Sequence, residues 1–67
     1  MTQEDKDKLL EKLNQMVELS NKAITIWTSL MECGKYPAED CLKQIHINNE
    51  TKESCLKLIE KIENEDE

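Results

Sequence analysis

Arginine and phenylalanine are absent from the 67 residues, and glycine and proline occur once each. So few turn formers exclude an all-β fold, which needs frequent turns. No apolar run approaches the roughly 20 residues that cross a bilayer. The segment from Met1 to Lys8 is charged and has no apolar signal-peptide core, so a cytoplasmic chain is expected. The length leaves no room for two domains or a sheet-based cofactor fold, and a single domain over residues 1–67 is expected.

Without arginine there is no bidentate donor for guanine or phosphate. Fifteen acids against nine lysines give a formal charge of −6. That balance disfavours direct binding to nucleic acid or to an anionic membrane surface, both of which rest on basic side chains. Cysteine is present as Cys33, Cys41 and Cys55. An odd count without a secretory signal predicts reduced thiols, although a Cys33–Cys41 bridge across a loop is sterically conceivable. Asn49-Glu50-Thr51 matches a glycosylation acceptor, which carries meaning only in a secreted chain.

What the chain does have is helical periodicity. Leu9, Leu13, Met16, Ser20, Ala23, Trp27 and Leu30 follow a 4-3 rhythm. Leu10, Val17, Ile24 and Met31 recur every seven residues beside them, and Leu19, Ile26 and Cys33 form a third row. With Leu13, Ser20 and Trp27 at heptad position a, the apolar face is wide and the remaining positions are polar. Thr2 is placed to cap the start, with Glu4, Asp5 and Asp7 near the positive end of the helix dipole. Gly34 marks the stop, so a helix is predicted over about 3–33.

Gly34-Lys35-Tyr36 is a short connection, and Pro37 suits the first turn of a second helix. A loop this short predicts an antiparallel neighbour. Ala38, Cys41, Leu42 and Ile45 share one face of a helix over about 37–46. His46-Ile47-Asn48-Asn49-Glu50-Thr51 then contains poor helix formers. Two arrangements are open. In one the chain breaks here and a third helix runs over about 49–63, with Cys55, Leu58, Ile59 and Ile62 on its apolar face. In the other the rhythm 41, 45, 48, 52, 55, 59, 62 continues through one kinked helix, with Asn48 and Lys52 at core positions. A turn near Lys35 sets Ser20 and Asn21 opposite Asn48 and Asn49, where polar groups would pair across the hairpin. Glu4–Lys8, Glu18–Lys22, Glu39–Lys43 and Glu53–Lys57 are i, i+4 pairs in the better orientation. The acidic residues of the 64–67 tail sit where a helix C-terminus disfavours anions, so that tail is expected to fray. The fold class is therefore all-α: a long first helix packed against a second segment that is kinked or split, its core completed by dimerisation.

No catalytic, cofactor-binding or metal residues are assigned. Cys33, Cys41, His46 and Cys55 are the available zinc donors, but zinc sites use paired ligands two to four residues apart. One histidine and no glycine-rich turn leave little for nucleophilic chemistry, and no enzyme is expected. The apolar face of the first helix is wider than one neighbour covers. Val17, Ile24, Trp27, Met31, Leu19 and Ile26 are accordingly the expected interface, to a second copy or to a larger protein. The expected function is a helical protein-interaction module, acting as a stoichiometric regulator or inhibitor. An acidic decoy for a nucleic-acid-binding protein and a structural self-assembling bundle are the alternatives. In general character such a chain is similar to small regulators and inhibitors of bacteria and their phages, a likeness that rests on no motif.

Overall fold

The computed structural model describes residues 2–65, which form two helices, α1 (Gln3–Cys33) and α2 (Ala38–Glu63). Local chemistry sets the boundaries. The Thr2 hydroxyl accepts from the Asp5 amide at 3.2 Å, capping α1, a contact worth about 1 kcal/mol. Gly34 ends the helix with φ 72, and its N–H donates to the Met31 carbonyl. A left-handed residue there strains any side chain but costs glycine little. Pro37 is the N-cap of α2, one residue earlier than the first-turn position expected of it. Its carbonyl accepts from the Asp40 and Cys41 amides.

The two helices pack along their length into a rod of 48 × 15 × 11 Å. The second segment is not divided: α2 continues through residues 46–51 without interruption, so among the described residues there is no third helix. Its inward rhythm through Cys41, Ile45, Asn48, Lys52, Cys55, Ile59 and Ile62 is the one-helix alternative, and each of these is buried or half-buried. Packing along the seam outweighs the weak propensity of the Asn-Asn stretch. Asn48 does not pair across the hairpin. Its Nδ2 donates to the Gln44 carbonyl of its own helix at 2.8 Å.

The seam has three zones. Toward the open end, Leu13, Cys55, Ile59 and Ile62 form the buried cluster, with Leu10 and Val17 packed against it. Midway along each helix the seam turns polar: Ser20 of α1 is buried, and Asn48 and Lys52 of α2 are half-buried. Toward the loop, Cys41 is fully buried, and Trp27 meets Tyr36 edge-on at a centroid distance of 6.1 Å. Asn64 and Glu65 form a turn after α2; the rest of the tail expected to fray, residues 66 and 67, lies outside the described residues.

Candidate interaction surface

The seam takes up only part of the apolar surface of α1. Row by row, Leu10 and Val17 pack on the buried cluster, whereas Leu9 and Met16, on the other side of the Leu13 row, are exposed. Beyond them lie Leu19, 63% exposed, and Ile26, 58% exposed. The six expected interface residues therefore separate. Val17, Ile24, Trp27 and Met31 are half-buried toward the seam, and Leu19 and Ile26 face solvent.

The exposed flank of α1 does not stand alone. Met16 and Leu13 line a shallow groove of ≈ 550 Å³ together with Ile47, Thr51, Cys55 and Leu58 of α2. Ile47 is 52% exposed and Leu58 48%. The groove joins the flanks of both helices through Met16, Ile47 and Leu58; by helical period Leu9 shares the Met16 row of α1, and Leu19 and Ile26 lie on the row beside it. Sequence patterning grouped Leu58 with Cys55, Ile59 and Ile62 on one apolar face, but only those three are buried and Leu58 is turned to the surface; Ile47 was assigned to no face. Their signal was available in the heptad: each lies one or two rows off the Cys41–Asn48–Cys55 line, on the same side.

Charge is sorted against this side. The two flank rows of each helix carry Asp5, Asp40 and Glu65 as their acids among the described residues. Glu50 borders the groove from the next row, where His46 Nε2 approaches its carboxylate at 2.9 Å. Glu4, Glu11, Glu18 and Glu32 recur at multiples of seven on the outer edge of α1, and Glu39, Glu53 and Glu60 do so on α2. Lys8, Lys22, Lys43 and Lys57 follow four residues after an acid in the adjoining row, and Glu4 and Lys8 close to 3.4 Å. The opposite side of the rod is mostly polar. Asn14 and Thr28 there bond to carbonyls of their own helix, and Leu42 and Leu56 are isolated from one another by Asn49.

A second depression of ≈ 400 Å³ lies along Glu18, Asn21, Lys22, Thr25 and Ile26. All five belong to α1, and one convex helix supplies no walls to enclose a ligand. The three cysteines are free thiols, Cys33 exposed and Cys41 and Cys55 buried. Among the described residues, no three His, Cys, Asp or Glu side chains are grouped to hold a metal ion, and no helix is long and apolar enough to cross a membrane. Comparison with protein families, curated proteins and solved structures finds no match to this chain.

Proposed function

We propose that this chain is a protein-interaction module that works by stoichiometric association, without catalysis, as a regulator or inhibitor of what it binds. The observation carrying this reading is the apolar side of the rod formed by Leu9, Met16, Leu19, Ile26, Ile47 and Leu58. Scattered apolar residues are ordinary on a surface, but a continuous side built from two helices is the usual mark of a binding face. Most of the acids are held off that side, which keeps the chain soluble while leaving the face sparsely charged. The decoy alternative draws less support, because each acidic edge is interleaved with lysines one row away. A mimic of phosphates needs unneutralised negative charge.

The test is association in an extract of the native host by the immobilised wild-type chain and two variants. Met16→Lys combined with Ile26→Glu places charge on the face, and Leu42→Glu places it on the opposite side. A species bound by wild type and by Leu42→Glu but lost from the double variant is the expected result. An association indifferent to the double variant, or none at all, contradicts the reading.

A further inference from the structure

We infer that α2 opens in two parts. Its first half, from Ala38 to about Asn48, comes off α1 and unwinds while the stretch from Cys55 to Ile62 stays packed, and this opening uncovers Ile24, Trp27 and Met31. The face so uncovered is distinct from the apolar side that the closed rod already exposes.

The two halves of α2 are held unequally. Cys55, Ile59 and Ile62 are all buried in one cluster with Leu13, and Leu10 and Val17 pack against it. Among the described residues, Cys41 is the one buried side chain of α2 before Asn48, and it lies outside that cluster. A thiol removes far less apolar area from water than two isoleucines do. Ile45, the large seam residue of the same half, is half-buried. The start of α2 is also held weakly. The Thr2 hydroxyl caps α1, whereas Pro37 at the N-cap of α2 makes no side-chain cap hydrogen bond.

A boundary separates the halves. Within α2 the seam turns polar at Asn48 and Lys52, both half-buried. Asn48 Nδ2 and Thr51 Oγ1 donate to the Gln44 and Ile47 carbonyls, four residues back, at 2.8 and 3.0 Å. Bonds of this kind compete with the backbone ladder and bend helices. Ile45, Ile47, Asn48, Asn49 and Thr51 are weak helix formers in one short stretch. Weak propensity and a polar seam therefore coincide, and low local burial beside a buried cluster is where a cooperative unit ends.

Chain geometry permits the opening. Tyr36 meets Trp27 edge-on at 6.1 Å, which ties the loop to α1. The opening half is thus anchored at both ends. A helix rises about 1.5 Å per residue and an unwound chain reaches more than twice that, so the segment leaves the seam without moving either anchor. A partner that binds Ile24, Trp27 and Met31 competes with α2 for them and draws the equilibrium toward the open form.

Native-state hydrogen exchange on the full chain is the test. In a uniformly packed hairpin the free ends open first and the loop end, closed by the chain, is protected longest. The reverse is expected here. Amides 42–48 are expected to show protection lower by about tenfold or more than amides 54–60. Their dependence on low concentrations of urea is expected to be shallower, because a partial opening exposes less surface. Equal protection, a common urea slope, or lower protection at 54–60 overturns the inference. Iodoacetamide then reads release of the side chain, since Cys41 is 0% exposed in the closed rod. Cys41 is expected to be alkylated through the same opening that exposes amides 42–48. Alkylation only through global unfolding overturns the release. Asn48→Leu makes the boundary apolar and is expected to narrow the difference between the two sets of amides; an unchanged difference overturns the polar seam as the boundary. The exchange and alkylation readings use the unsubstituted chain, so neither depends on a variant that folds.

Discussion

At the scale of single residues, the hairpin depends on a few positions where backbone geometry leaves one good choice. Gly34 is the clearest. A Cβ built on it meets nothing within 4 Å, so space is not what restricts the site. The restriction is φ 72, a conformation that costs an L side chain about 1 kcal/mol. Gly34→Ala is therefore expected to lower the thermal midpoint by about 4–8 °C, the usual conversion for a domain of this size. An unchanged midpoint in a circular-dichroism melt contradicts this, because it means the loop relaxes to another turn. Ile59 shows the other kind of dependence. It lies in the buried cluster with Leu13, Cys55 and Ile62, and Ile59→Ala is expected to cost about 2–4 kcal/mol in urea unfolding. A cost near that of an exposed substitution, under about 0.5 kcal/mol, contradicts the cluster as the anchor of the open end.

At the scale of the helices, two questions stood open in the sequence, and both turned on residues that read equally well two ways. The rows through Leu9 and Leu10 flank the Leu13 row symmetrically, and both are apolar. Periodicity locates a stripe on a helix but not which edge of a wide stripe meets the neighbour. That edge is set by where α2 lies, and near the open end α2 takes the Leu10–Val17 side. The residue range of α1 was readable because capping and stop signals sit at both ends of an unbroken pattern. The stretch from His46 to Thr51 was not, because local propensity there argues for a break while the inward rhythm argues for continuity. Tertiary packing decided for continuity. Asn48 remains as the polar residue of the seam, bonded to its own helix. Its amide leaves no group across the hairpin unpaired if removed, so Asn48→Leu is expected to raise stability by about 1 kcal/mol. The measurement is urea unfolding of the variant against wild type. Destabilisation contradicts this account, since it requires a cross-helix role for the amide.

At the scale of the whole molecule, the organising feature is the separation of three longitudinal zones around the rod. One is the seam, one the apolar side, and the third the acidic edges studded with lysines. A protein that associated through its acidity would lose affinity steeply with salt. One that associates through its apolar side, with a few charges at the rim, responds mildly. Raising sodium chloride from 50 to 500 mM is therefore expected to change the association constant by less than about tenfold, as read by sedimentation. The face itself is tested most directly by the methyl signals of isotope-labelled chain, recorded with and without the species retained from the host extract. The account predicts that the methyl signals of Met16, Leu19, Ile26, Ile47 and Leu58 shift on association. Shifts at Leu42 and Leu56 instead, or no shifts, would contradict it.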